Sequence, residues 1–424
     1  MRVAILGYGL EGQSSENYFK NHGHETKIFD HFEPSEIKDF DLSGYDLIMR
    51  TPSIPPSAIP ESYRQAVSSQ TKYFFDHCPA TIIGVTGTKG KGTTCKLIHN
   101  LLESTLEQDH SPSRVYLVGN IGSPSLDILD SLSENDIVVY ELSSFQLWDL
   151  DKSPHIAIVN TLEPDHLNVH DGYEDYLNAK SNLIKYQSPA DFCLYDSTNL
   201  DTVKIANLSG AHKIAFPLDH PSTTLRELLS HLPLPGAHNQ KNAEAALLAI
   251  VSYYGITLDS LLDRYGRTLK NALELFRGLP HRMEFVREID NVRFYDDSFC
   301  TNTSSLAVAL NSFSDQDLFL ILGGRDKTDN QDLPEVYELL NNTPNLQKAF
   351  LIGESGRELS NLYPNDEKLS YVETLNRAVN EAYTFAKARP NDSIVLLSPA
   401  AASFDQFDNA YARGDTFQSL VNSL

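Results

Sequence analysis

Ile82-Ile83-Gly84-Val85-Thr86-Gly87-Thr88-Lys89-Gly90-Lys91-Gly92-Thr93-Thr94 is the stretch on which the reading of this chain turns. Its first five residues, rich in β-branched side chains, predict a buried parallel strand. Leu97, Ile98, Leu101 and Leu102 then fall on one face of a predicted helix. Between strand and helix lie Gly87, Gly90 and Gly92. Glycines let backbone N–H groups turn toward phosphate oxygens, and a helix N-terminus adds partial positive charge. Lys91 would reach the β- and γ-phosphates of a nucleoside triphosphate, and a threonine hydroxyl would hold Mg²⁺. The spacing departs from the standard phosphate loop. Val85 stands five residues before Gly90, where glycine is usual, and Gly92 directly follows the lysine. Thr93 or Thr94 must then supply the hydroxyl.

The 424-residue chain is long enough for about two to four domains. A net charge of −23 argues against nonspecific nucleic-acid binding, which needs lysine and arginine to neutralise phosphate. It leaves room for a locally basic site that takes a small anion. No apolar stretch reaches transmembrane length, and Met1-Arg2-Val3-Ala4-Ile5-Leu6-Gly7 reads as a strand entering a glycine turn, not a signal peptide. Cys78, Cys95, Cys193 and Cys300 are widely spaced, with no CxxC pair or zinc-spaced histidines. That usage fits a reducing cytoplasm.

Residues 1–79 begin with a strand, then Gly7-Tyr8-Gly9-Leu10-Glu11-Gly12 and a helix, and a second strand ends at Asp30. Alone this is the dinucleotide fingerprint and would suggest NAD. A third strand over 45–51 runs into a proline-rich turn at 52–60, so the unit is half a Rossmann fold at most. Such a loop also suits the diphosphate of a UDP-sugar. Residues 80–279 predict a mostly parallel α/β domain with further strands at 115–118, 136–142 and 156–161. Polar clusters follow at strand ends: Gly119-Asn120-Ile121-Gly122, Glu141-Leu142-Ser143-Ser144-Phe145-Gln146 and Glu163-Pro164-Asp165-His166. Glu141 ends an almost wholly apolar run, so its carboxylate is either paired or coordinating a cation. His166 by itself is no more than a lone histidine, and Lys180 reads as a solvated helix lysine. The asparagines of His238-Asn239-Gln240-Lys241-Asn242 could cap a helix over 243–253 and meet a nucleotide.

Residues 280–424 restart an α/β pattern, with strands expected at 292–295, 318–322, 349–352 and 394–397. An amphipathic helix carries Leu375, Val379, Ala382 and Phe385 or Ala386. The loops at Asp296-Asp297-Ser298, Gly323-Gly324-Arg325-Asp326-Lys327 and Ser398-Pro399-Ala400-Ala401-Ala402-Ser403 all follow strands, the edge where ligands bind.

Taken in order, these pieces resemble the Mur ligases of peptidoglycan synthesis along the whole chain, and in particular their glutamate-adding branch. The matching motifs are Gly87-Thr88-Lys89-Gly90-Lys91, Gly119-Asn120-Ile121-Gly122, Glu141-Leu142-Ser143-Ser144-Phe145-Gln146-Leu147 and Asp165-His166. His238-Asn239-Gln240-Lys241-Asn242, Gly278-Leu279-Pro280-His281-Arg282-Met283-Glu284 and Leu397-Ser398-Pro399-Ala400-Ala401-Ala402-Ser403-Phe404-Asp405-Gln406-Phe407 continue the series.

The resemblance implies three α/β domains: 1–79 Rossmann-like for a UDP-substrate, 80–279 a central P-loop-type ATPase, and 280–424 Rossmann-like for the amino acid. The C-terminal domain would close over both substrates and exclude water. Lys91 and Thr93 would hold ATP phosphate and magnesium, within a loop of Gly87, Thr88, Lys89, Gly90, Gly92 and Thr94. Asn239, Asn242, Arg282 and Asp297 match further ATP contacts. Glu141 and His166 would complete two Mg²⁺ sites. Lys180 matches a lysine the family carbamylates, which replaces its solvated reading. Gly9, Leu10, Gly12 and Ser14 would face the diphosphate of UDP-N-acetylmuramoyl-L-alanine, with Asp30, Arg50, Thr51 and Asn120 along the same substrate. Thr301, Lys327 and Ser403 match positions around D-glutamate. Lys91, His166, Lys180 and Arg282 are the expected catalytic set.

The implied protein is a cytoplasmic monomer without nucleic-acid or membrane partners. Phe299 departs from the family, which has lysine there, as does Ala410, where an aromatic is usual; L-glutamate is therefore the nearest alternative to D-glutamate. The rivals are a folylpolyglutamate-type ligase, an NAD-dependent oxidoreductase and a nucleotide-binding protein without turnover.

Overall fold

The computed structural model describes residues 1–424 except 168, 314 and 326–330. The chain forms two compact units, Met1–Leu232 with Gln240–Leu275, and Pro233–Asn239 with Phe276–Leu424. The described residues form three sheets, one each within 2–69, 81–216 and 284–397.

The first sheet comprises β1 (Arg2–Leu6), β2 (Glu25–Phe29), β3 (Leu47–Arg50) and β4 (Val67–Ser69). All pairings are parallel, in the order β2-β1-β3-β4. Val3, Ala4, Ile5 and Leu6 are fully buried, so β1 is covered on both faces, as a central parallel strand must be.

The second sheet is built from β5 (Thr81–Thr86), β6 (Val115–Gly119), β7 (Ile137–Glu141), β8 (Ile156–Val159), β9 (Phe192–Asp196) and β10 (His212–Phe216). Its order is β10-β9-β8-β5-β7-β6, again wholly parallel. The chain leaves β5 toward β6, returns through β7, and then crosses to β8 on the other side of β5. The order therefore reverses at the C-terminal end of β5, the place where open α/β sheets bind ligands. The helix Lys91–Gln108 returns from that point and buries Leu97, Ile98, Leu101 and Leu102. Each such side chain contributes roughly 1.5–3 kcal/mol. Strands β9 and β10 are additions to the sequence expectation, as is β4.

The second unit contains β11 (Glu284–Ile289), β12 (Val292–Asp296), β13 (Asp317–Gly323), β14 (Leu346–Ile352), β15 (Leu369–Glu373) and β16 (Ser393–Leu397). They pair in the order β11-β12-β16-β13-β14-β15, with only β11 and β12 antiparallel. The helix Leu375–Lys387 packs Ala386 inward at 1% exposure and leaves Phe385 46% exposed, which settles the choice between them. The molecule is thus mostly parallel α/β throughout. Among the described residues, no single helix is long and apolar enough to cross a membrane.

Candidate functional site

Gly87 and Gly90 carry the turn out of β5. Gly90 has φ +80° and precedes the first residue of the helix Lys91–Gln108, with no side chain capping it. The first turn of this 18-residue helix, capped by no side chain, is suited to an anion. A Cβ on Gly90 would lie 2.5 Å from Asn242 Oδ1 and 3.0 Å from Asn160 Nδ2, so two amides flank the loop. Lys91 Nζ donates to the carbonyls of Gly87 (2.9 Å) and Thr88 (3.0 Å), folding over its own loop. Lys89 pairs with Glu163 at 2.7 Å. Thr94 is fully buried and its Oγ1 accepts from Asn160 Nδ2 at 2.9 Å. Thr93, half-buried, is the better placed of the two hydroxyls for a ligand. Gly92 follows Lys91 within the helix.

Lys180 corrects its solvated reading. It is 2% exposed, and its Nζ donates to the Gly87 carbonyl (2.8 Å) and Thr86 Oγ1 (3.2 Å) while lying 4.8 Å from the Tyr176 ring centroid. Lys91 and Lys180 thus share one carbonyl oxygen. Burial, and then the neighbouring Lys91 charge, hold the Lys180 ammonium well below its ordinary range. Glu141 ends β7 at 4% exposure. Asn120 Nδ2 donates to its Oε1 at 3.3 Å, and its Oε2 is buried without a partner among the described residues. A sealed, unpartnered carboxylate oxygen is costly unless a cation completes it. That orphaned carboxylate oxygen fits a divalent ion. His166 is half-exposed, at φ +54°, with Asp165 at 3.4 Å and the Phe145 ring at 4.9 Å.

In the N-terminal segment, Gly9 and Leu10 are exposed at the start of the helix Leu10–Asn21. Gly12 is tightly packed, since a Cβ there would sit 2.3 Å from the Gly7 carbonyl. Asp30 Oδ1 accepts from the Tyr8 amide at 3.2 Å, beside the glycine loop. Other expected substrate residues serve the scaffold. Ser14 donates to Asp127 at 2.6 Å, and Thr51 Oγ1 to the Leu6 carbonyl at 2.9 Å. Arg50 is buried, with Nε donating to Asp149 Oδ2 at 2.8 Å and further N–H groups to the Phe145 and Ile54 carbonyls at 3.2 Å.

In the second unit, the Arg282 guanidinium lies 5.1 Å from the Phe299 ring centroid. Asp297 is 8% exposed and accepts from Ser398 Oγ (2.9 Å) and the Met283 amide (3.2 Å). Burial pushes its carboxyl up to about 7. Asn239 donates to the Pro235 carbonyl at 2.7 Å. Both asparagines lie inside the helix Ala237–Tyr254, so neither is its cap; the helix starts six residues before the expected 243. Thr301 lines a cleft of about 280 Å³ with Asn302, Leu333, Ser355 and Pro399. Ser403 is buried and Lys327 lies outside the described residues. Phe299, in the place of the expected lysine, packs edge-to-face on Tyr411 at 4.7 Å. Tyr411 is next to Ala410, so an aromatic stands one position along from the expected one.

Three sets of residues were not foreseen. Asn160 packs between the loop glycines and Thr94. Lys241 pairs with Asp196 at the end of β9. Arg413, fully buried, donates to Ser298 Oγ (3.0 Å), the Ser298 carbonyl (2.8 Å) and the Ala401 carbonyl (3.0 Å), and burial lowers it to about 10. Asn160 directly follows β8 and Asp196 ends β9, a positional signal that singles out functional positions in such sheets.

The Mur ligase middle domain family matches residues 85–250, and the Mur ligase glutamate ligase domain family matches 281–400. The UDP-N-acetylmuramoylalanine--D-glutamate ligase of Acetivibrio thermocellus is 32% identical, covering 100% of this chain and 96% of its own. The protein of that name from Clostridium botulinum strain 657 is 31% identical, covering 100% and 97%. Among solved structures, MurF from Acinetobacter baumannii superposes with a TM-score of 0.59 at 16% identity, over 84% of this chain and 79% of that one. MurF from Thermotoga maritima in complex with ADP gives 0.55 at 14% identity, over 90% of each chain. At such identities these structures speak for the fold. With matched domains over more than half its length and full-length relatives above 30% identity, the chain belongs to the Mur ligase family and is an ATP-dependent ligase.

Proposed function

We propose that the protein adds D-glutamate to UDP-N-acetylmuramoyl-L-alanine in peptidoglycan precursor synthesis. The observation that carries this reading is the convergence of Lys91 and Lys180 on the Gly87 carbonyl, at the reversal point of a sheet that also ends in Glu141. Residues 1–79 would hold the UDP-substrate, 80–279 ATP, and 280–424 the amino acid. Arg50 and Thr51 hold their polar groups in hydrogen bonds within the protein, while Gly9 and Leu10 are exposed.

An alanyl carboxylate is a poor acyl donor. Its oxygen attacks the γ-phosphorus, the bond to the β-phosphate oxygen breaks, and ADP leaves. The glutamate amine then attacks the acyl carbon, loses a proton, and expels inorganic phosphate. The chain's part is to position groups and neutralise charge. Lys91 swings from its loop carbonyls to the phosphates, and Arg282 supplies a second cation. Bound Mg²⁺ would screen the triphosphate's charge; Thr93, Glu141, His166 and a carbamylated Lys180 would hold it. Lys180 suits that modification because burial disfavours its ammonium form, and the free amine is the form that takes up CO₂. Four free cysteines are in keeping with a reducing compartment such as the cytoplasm.

The test is phosphate release with Mg-ATP, UDP-N-acetylmuramoyl-L-alanine and a panel of D-glutamate, L-glutamate, diaminopimelate and lysine. D-glutamate is expected to support turnover, and Lys91→Ala to abolish it. Turnover with L-glutamate alone would move the assignment to the other stereoisomer.

A further inference from the structure

Ser144, His170 and Asp175 are linked in the order of a hydrolase triad. Ser144 Oγ lies 2.9 Å from His170 Nε2, and His170 Nδ1 lies 2.8 Å from Asp175 Oδ2. The carboxylate fixes the tautomer: Nδ1–H donates to Asp175, leaving Nε2 to accept from the Ser144 hydroxyl. A nucleophile must reach its substrate, yet Ser144 is 1% exposed and His170 4%. The imidazole is stacked on Phe145 at 5.3 Å, with Trp148 at 4.6 Å.

What the three residues join is more informative. Ser144 follows Glu141 by three positions on the segment leaving β7. The His170 amide donates to the His166 carbonyl at 3.0 Å, and the Phe145 ring touches the His166 ring. Asp175 lies on the helix Gly172–Lys185, the one that carries Lys180. Asp175 therefore shares a helix with Lys180, while Ser144 and His170 follow Glu141 and His166 by three and four positions.

We propose that Ser144, His170 and Asp175 form a positioning relay that sets the mutual placement of Glu141, His166 and Lys180. The inference rests on the cation-binding role proposed for those three. Hydrogen-bonded residues behind metal ligands typically change metal affinity 10–100-fold when removed. The relay explains why a buried serine and histidine are kept polar at a point where no substrate can arrive.

The test is Mn²⁺ titration of the full chain by electron paramagnetic resonance, with thermal melting as a check on folding. Ser144→Ala and His170→Ala should each weaken Mn²⁺ binding about 10-fold, and the double variant should be no worse than the weaker single one. His170→Gln, which restores an amide donor, should recover part of the loss. ADP affinity measured without metal should stay unchanged. Normal Mn²⁺ affinity in folded Ser144→Ala and His170→Ala, alongside loss in Glu141→Ala, would overturn the relay while leaving the metal assignment intact. Unchanged binding in Glu141→Ala would overturn the metal assignment itself. Labelling of Ser144 by a fluorophosphonate, abolished in His170→Ala, would show a nucleophile and refute the positioning role.

Discussion

Lys241 Nζ stands 2.5 Å from Asp196 Oδ2, and Thr161 Oγ1 donates to the same carboxylate oxygen at 2.6 Å. The pair ties the helix bearing Asn242 to the end of β9, and Asn242 is the residue flanking Gly90. Burial alone would raise the Asp196 carboxyl, but Lys241 and the Thr161 and Thr198 hydroxyls hold it below its ordinary range. Removing one partner of a buried pair costs about 3–5 kcal/mol. Asp196→Asn should therefore melt earlier and raise the KM for ATP, while Lys241→Arg should keep most of both. Differential scanning calorimetry and steady-state kinetics decide it; an unchanged ATP KM in Asp196→Asn would separate the pair from nucleotide binding.

Lys180 gives a chemical prediction. A neutral buried amine and CO₂ form a carbamate with loss of one proton, converting a donor to an anion. Depleting CO₂ should lower activity, bicarbonate should restore it, and a one-carbon carbonyl signal should appear on Lys180 in the presence of ¹³C-labelled bicarbonate. Lys180→Ala should lose at least about 100-fold in kcat, in line with loss of a positioned charged group. Full activity of Lys180→Ala would sink the carbamate assignment.

Asp297 makes stability depend on pH. Its carboxyl moves from an ordinary 3.8 to about 7 in the folded protein. The native state thus holds a proton that the unfolded chain releases. The resulting stabilisation is complete below about pH 4 and is lost as pH rises through 7. The full loss is on the order of 4 kcal/mol. Asp297→Asn should flatten that part of the profile and melt higher than the parent above pH 7, read by melting temperature between pH 4 and 8. Parallel profiles for the two proteins would contradict the shift.

Arg50 and Asp149 form a bidentate pair that is buried on the arginine side. Arg50→Met should destabilise by about 3–5 kcal/mol because Asp149 is left without its cation, whereas Arg50→Met with Asp149→Leu should recover much of the loss. Urea unfolding measures both. A stable Arg50→Met with a weakened UDP-substrate KM would instead return Arg50 to the ligand.

Much of this architecture could be read from the chain because apolar runs and glycine turns carry it. Ile82 to Thr86 is rich in β-branched residues and buried on both faces, and a Cβ at Gly90, with φ +80°, would press on Asn242. Strands β10 and β11 escaped notice for the opposite reason. His212–Phe216 and Glu284–Ile289 lie at sheet edges, where polar side chains are tolerated and the apolar pattern fades. Lys180 was legible in principle: it falls four residues after Tyr176 and four before Ile184, on the buried stripe of its helix. Arg50 and Ser14 could not be assigned from sequence, since their partners Asp149 and Asp127 lie about a hundred positions away. Periodicity carries no information on such pairings.

On the proposed mechanism, ATP held at the glycine loop by Lys91 gives its γ-phosphoryl group to the alanyl carboxylate before the amide forms. The direct measurement uses UDP-N-acetylmuramoyl-L-alanine labelled with oxygen-18 in its alanyl carboxylate, turned over with Mg-ATP and D-glutamate. Attack by that carboxylate predicts one labelled oxygen in each phosphate released. Unlabelled phosphate, with the displaced label recovered in water, would contradict that attack.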